Sequence, residues 1–178
     1  MKIADAVRSR ADFPRKGTTY RDISPLLNDG PTFRAAIAQL VASLSERNVT
    51  KIAGIESRGY VLGGALAMQL GAGFLPIRMY GKLPGGAMSR PYRKNGTEYH
   101  AEILLDAVRP GDRVVVIDDC VNTGISAEAA CMLVRELGGE VVGAAFIAEI
   151  PSSGGRGRLE GLGVPVTSLL SYDEKVRT

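Results

Sequence analysis

Apolar residues along the chain recur at two spacings, and their alternation sets the fold class. Phe33, Ile37, Leu40, Val41 and Leu44 recur at helical spacing as one apolar stripe. Just ahead, Asp29-Gly30-Pro31 reads as a helix start, with Asp29 or Thr32 as cap and Pro31 tolerated in the first turn. Lys51-Ile52-Ala53-Gly54-Ile55 is a short apolar run that predicts a buried strand, followed by a helix over 59–70 and a strand over 73–77. Val114-Val115-Val116-Ile117 is the strongest strand signal. It is β-branched throughout and apolar on both faces, as in the centre of a parallel sheet. A helix over 126–137 follows, with Ala127, Ala130, Cys131 and Val134 on one face and Gly138-Gly139 closing it. Strands are also predicted over 102–105, 141–150 and 166–169. This alternation predicts an α/β fold, a mostly parallel twisted sheet flanked by helices. Such sheets bind ligands beyond the carboxyl ends of their strands.

Three stretches fall outside the pattern. Residues 2–10 predict a short helix, and 11–30 read as polar and loop-like, with Pro14, Gly17, Pro25 and Gly30. Residues 80–97 hold Gly81, Pro84, Gly85, Gly86, Pro91 and Gly96 with little apolar periodicity, which predicts a long mobile loop. Composition adds bounds. A chain of 178 residues, 45% hydrophobic and 23% charged, predicts one globular domain rather than a disordered or fibrous chain. No apolar run is long enough to span a membrane, so no membrane partner is expected. The start at Met1-Lys2-Ile3-Ala4-Asp5 shows no apolar signal core, so the cytoplasm is the expected location. Cys120 and Cys131 form neither a disulfide framework nor a zinc pattern. The net charge of +3 does not by itself imply nucleic acid, and no nucleic-acid partner is expected. What matters is where that charge sits. Between Arg78 and Lys94 there are five Lys/Arg and no Asp or Glu, either a solvated basic loop or an anion-binding lid.

The densest chemistry is in Val114 to Ser126. An apolar strand runs into Asp118-Asp119, a short loop carries Asn122-Thr123-Gly124, and a helix begins near Ile125-Ser126. Unpaired N–H groups at a helix N-terminus can cradle a phosphate. The Thr123 and Ser126 hydroxyls add donors, and Gly124 permits close backbone approach. The paired acids can accept hydrogen bonds from sugar hydroxyls, so the stretch suits a phosphorylated sugar. The competing reading is a capped helix with solvated acids. His100, the only histidine, reads as incidental, and Cys120 as a small apolar spacer.

This stretch resembles the phosphoribosyl diphosphate (PRPP) motif of the type I phosphoribosyltransferases. Other segments narrow the resemblance to the adenine phosphoribosyltransferases: Asp12-Phe13-Pro14 with Gly17, and Tyr20-Arg21-Asp22-Ile23-Ser24-Pro25-Leu26-Leu27. Gly54-Ile55-Glu56-Ser57-Arg58-Gly59-Tyr60 resembles that family's pyrophosphate loop. Arg78 with Gly81-Lys82-Leu83-Pro84-Gly85, and Thr97-Glu98-Tyr99, resemble parts of its flexible lid. The resemblance implies one domain over 1–178, with a small N-terminal hood (1–30) and a lid (80–97). It further implies purine salvage, adenine and PRPP going to AMP and pyrophosphate with Mg²⁺, few direct protein–metal bonds, and a homodimer.

By the same resemblance, Asp118 and Asp119 would contact the ribose hydroxyls, and Asn122, Thr123, Gly124, Ile125 and Ser126 the 5′-phosphate. Ser57, Arg58, Arg78 and Lys82 would hold pyrophosphate, and Arg58 would also be catalytic. Thr19, Tyr20 and Arg21 would bind adenine, with Tyr20 stacking on the ring. Glu98 would manage the base proton and Tyr99 would close the lid. Arg58 is independently suggestive, because a cation is disfavoured at a helix start unless an anion is nearby. Asn122, Ile125 and Met79 depart from the family pattern, which usually has Ala, Gly and often a basic residue there. Two alternatives stay open, a phosphoribosyltransferase for another purine base and a non-catalytic PRPP-sensing regulator. A regulator would need a further binding surface, and the roughly 30 residues before the first long helix are too few for a winged helix.

Overall fold

The computed structural model describes residues 2–13, 15–94 and 96–172. Met1, and Pro14 of the N-terminal motif, lie outside them. Among the described residues seven strands form the main sheet, in the order β5-β6-β4-β3-β7-β8-β9. They are β3 (Lys51–Ile55), β4 (Gly73–Met79), β5 (Ala87–Lys94), β6 (Thr97–Leu104), β7 (Arg113–Val121), β8 (Glu140–Glu149) and β9 (Val166–Ser171). From β4 to β9 neighbouring strands run parallel; β6 joins β4 antiparallel, and β5 joins β6 antiparallel. The sheet is therefore mostly parallel, as the alternation predicted.

The β-branched run in β7 explains why both faces are covered. Successive side chains point to opposite faces. Val114 and Val116 enter one core with helix α4 (Ile125–Glu136), while Val115 and Ile117 enter the other with α2 (Gly30–Leu44) and α3 (Arg58–Leu70). In α2, Ile37, Leu40 and Leu44 are buried, and the Asp29 carboxylate accepts from the Thr32 N–H as its cap (3.1 Å). None of the helices among the described residues is long and apolar enough to cross a membrane.

Three expectations are corrected. The N-terminal helix is only a 3-10 turn over Ile3–Ala6, and the chain then forms β1 (Arg8–Ala11). The loop-like 11–30 holds β2 (Thr19–Asp22), antiparallel to β1, and a short α1 (Ser24–Asn28). This hairpin buries little, with β1 exposed throughout, so it leaves no hydrophobic alternation to read. Much of 80–97 is strand rather than loop, because Ala87–Lys94 pairs with β6 over its whole length. The alternation there is disguised. Met88, Arg90 and Tyr92 take the half-buried positions, and Arg90 occupies its place by pairing with Glu136 on α4. Pro91 is tolerated because β5 is an edge strand. The sequence also concealed α5 (Gly155–Glu160), whose two glycines are poor helix formers; buried Leu159 anchors it.

Candidate active site

The strand order reverses between β3 and β7. β3 is followed by β4 on one side, and β7 by β8 on the other, so a crevice opens beyond their carboxyl ends. A cavity of about 260 Å³ lies there. Close backbone packing puts α3 against this edge. A Cβ on Gly54 would lie 2.5 Å from the Gly59 carbonyl oxygen, and one on Gly59 2.7 Å from that of Ile117. Glycine at both positions lets α3 start directly on the sheet, with Ser57 and Arg58 at the cavity.

On the facing wall, β7 delivers Asp118 and Asp119, and Gly124 adopts a left-handed φ of +74° to turn the chain into α4. No side chain caps α4, so its first-turn N–H groups stay available to an anion. Arg58 Nε donates to the Asp119 carboxylate, so the misplaced cation at the α3 start is paired across the cavity. Burial would lower the Arg58 pKa, but the Asp119 charge and hydrogen bond outweigh it and hold the guanidinium more firmly protonated. Burial, reinforced by the adjacent Asp119 charge, pushes the Asp118 carboxyl well above the usual carboxylate range. Burial and the same two acids push the Cys120 thiol up to about 12, which removes it as a nucleophile at neutral pH.

Of the sequence-predicted residues, Thr19, Tyr20, Arg21, Ser57, Arg58, Asp118, Asp119, Asn122, Thr123, Gly124 and Ser126 line the cavity. Tyr20 lies edge-on to Phe13 (5.3 Å between centroids) and beneath the Arg58 guanidinium (5.1 Å). Ile125 instead faces a groove between β5 and α4, with Tyr92, Met132 and Leu162. Arg78 and Lys82 are not on the wall. Both turn to Glu56, whose Oε1 lies 2.7 Å from Lys82 Nζ and 3.8 Å from Arg78. Glu98 and Tyr99 are also off it. Their strand pairs with β5, which sets Glu98 beside Arg93 (3.6 Å) and His100 (3.4 Å) and stacks Tyr99 on Tyr92 (5.6 Å).

Glu56, Tyr92 and Lys94 line the cavity without having been singled out as site residues. Glu56 is the most informative. Burial would raise its carboxyl, but hydrogen bonds from Lys82 and the Met79 N–H (2.9 Å) prevail and hold it below the usual range. Its position inside the Gly54–Tyr60 segment was the available signal. Among the described residues no three His, Cys, Asp or Glu converge as a metal cage. The cavity carboxylates, Glu56, Asp118 and Asp119, are hard oxygen donors of the kind Mg²⁺ accepts.

The phosphoribosyl transferase domain family matches residues 26–159. The adenine phosphoribosyltransferase of Methylobacterium sp. (strain 4-46) is 46% identical over 171 residues, 96% of this chain and 94% of its own. The chain belongs to the adenine phosphoribosyltransferase family. Solved adenine phosphoribosyltransferases share its fold. That of Rhodothermus marinus is 43% identical, with a TM-score of 0.90 and 96% of each chain covered. That of Saccharomyces cerevisiae, complexed with an imino-altritol bisphosphate and adenine, is 33% identical with a TM-score of 0.88, covering 94% of this chain and 96% of its own.

Proposed function

We propose that the protein transfers the phosphoribosyl group of PRPP to adenine, giving AMP and pyrophosphate in purine salvage. The observation that carries this reading is the single cavity with a carboxylate pair and an uncapped helix start on one wall and Ser57-Arg58 on the other. That arrangement matches a ligand with a ribose, a 5′-phosphate and a pyrophosphate. The adenine bound in the yeast relative supports the choice of base.

In this reading the α4 start, with Thr123, Gly124 and Ser126, holds the 5′-phosphate through backbone N–H and hydroxyl donors. Asn122 adds to that loop; the Ile125 side chain packs away from it and contributes only backbone. Asp118 and Asp119 orient the ribose hydroxyls. Ser57 and Arg58 receive the pyrophosphate, and Arg78 and Lys82 are held nearby by Glu56. Arg58 leaves Asp119 as pyrophosphate takes its place. The C1–O bond of the ribose then breaks toward an oxocarbenium-like transition state, and the bonding pair departs with pyrophosphate. Arg58 stabilises that developing charge, which makes it the catalytic residue. The base nitrogen attacks C1 from the side where Tyr20 and the Thr19–Arg21 backbone hold the ring, and its N–H proton passes to the departing pyrophosphate. Tyr92 and Lys94, on the β5–β6 arm, close the remaining wall against water. Glu98 and Tyr99 act through that arm rather than at the base.

A bound Mg²⁺ would sit among substrate oxygens beside the Asp118 and Asp119 carboxylates, and would neutralise pyrophosphate charge. A homodimer fits the exposed apolar side chains of α3, Val61 and Met68, and two unpaired thiols fit the reducing cytoplasm. The test is a steady-state assay with PRPP and adenine, hypoxanthine or guanine in parallel. Adenine turnover is expected, and turnover with another base alone overturns the reading.

A further inference from the structure

Helix α5 lies behind the loop assigned above to the 5′-phosphate, and nothing in that assignment uses it. A Cβ on Gly155 would sit 2.2 Å from the Asn122 carbonyl oxygen and 2.9 Å from the Gly124 nitrogen, so α5 and the loop touch backbone to backbone. From the same helix, Arg158 Nε donates to the Thr123 carbonyl at 2.8 Å. Its Nη1 donates to Glu128 Oε2, also at 2.8 Å. Glu128 lies in the first turn of α4.

Two physical consequences follow. The Thr123 carbonyl and the Gly124 N–H belong to one planar trans peptide and point in opposite directions. Tying that carbonyl to Arg158 therefore fixes the N–H facing away from Arg158. Separately, a carboxylate in the first turn of α4 favours the helix but repels a phosphate bound at the same end. Arg158 pairs with that carboxylate.

We propose that Arg158 is a positioning residue for the 5′-phosphate, fixing the Thr123–Gly124 peptide plane and masking the Glu128 charge. This rests on the phosphoribosyl-transfer reading, and it predicts an effect confined to the substrates that carry a 5′-phosphate. In Arg158→Ala the KM for PRPP, and for AMP in the reverse direction, rises about tenfold, as for loss of a charge-assisted hydrogen bond. The KM values for adenine and pyrophosphate stay within about twofold. Adding Glu128→Gln to Arg158→Ala recovers part of the loss, because the unmasked carboxylate is then gone.

Circular dichroism and thermal melting accompany the kinetics. If Arg158→Ala does not fold, Arg158→Gln, longer and still a donor, is expected to show the same pattern at smaller size. An unchanged PRPP KM, an equal rise for all four substrates, or no recovery in the double variant overturns the inference. If the unmodified protein does not turn over adenine and PRPP, the proposed function falls and this inference with it. Turnover in the unmodified protein with any of the three results above overturns the inference alone.

Discussion

At the scale of single residues, carboxylates hold the cations around the start of α3. Arg58 pairs with Asp119, and Lys82 and Arg78 face Glu56, so cations suited to a polyanionic ligand already have carboxylate partners. Under the proposed function, Arg58 exchanges Asp119 for pyrophosphate on binding. Asp118 is the costly member. A carboxyl whose pKa rises on folding is stable below its ordinary value, 3.8, and costs stability as the pH climbs through its raised value. Asp118→Asn is therefore expected to raise the melting temperature of the ligand-free protein at pH 8. The gain should shrink as the pH falls toward 4, while the PRPP KM rises. Melting curves across pH with parallel kinetics check both halves; a variant less stable than wild type at pH 8 contradicts the burial argument. Cys120, with its thiol near 12, is expected to react with iodoacetamide at pH 8 far more slowly than free cysteine, read by mass spectrometry. Much at this scale was legible, because the Asp118–Ser126 and Ser57-Arg58 clusters are contiguous in sequence. Glu56's grip on Lys82 and Arg78 was not, since it joins residues brought together by packing.

At the scale of elements, the β5–β6 arm changes most between sequence and structure. Its residues look like a loop because Arg90 at a half-buried position and Pro91 beside it interrupt the alternation. Cross-strand pairing and the Arg90–Glu136 contact with α4 override that local signal. Tyr92 is its keystone, packed against the core, stacked on Tyr99 and hydrogen-bonded to Met79 Sδ (3.7 Å). Tyr92→Ala is expected to destabilise the protein by about 1–2 kcal/mol in urea unfolding, the range for losing a half-buried aromatic. It should also lower kcat, because the same ring forms part of the cavity wall. Unchanged stability would mean that the arm is not packed as described.

At the scale of the whole molecule, α3 faces the cavity at one end and leaves an apolar outer side, the side offered to the proposed homodimer. Its N-terminus supplies Arg58 to the cavity, and its outer side leaves Val61 50% and Met68 86% exposed. If the proposed homodimer assembles through this side, Met68→Glu is expected to shift it to monomer in sedimentation velocity, with the melting temperature of the monomer little changed. A wild-type monomer removes the basis for assembly through this helix.

The sequence alone determined the α/β class, the central strand, three of the principal helices and the residues at the strand ends. These follow from periodicity and from chemistry held within a few consecutive positions. Only the tertiary structure decided that Arg58 pairs with Asp119 across the cavity, that 87–94 is a strand, and that Arg158 bonds to the Thr123 carbonyl. Each depends on partners far apart in the chain, Arg58 with Asp119, Arg90 with Glu136 and Arg158 with Thr123. Local hydrophobic pattern does not encode such pairings; sheet order and the packing of helices on its faces create them.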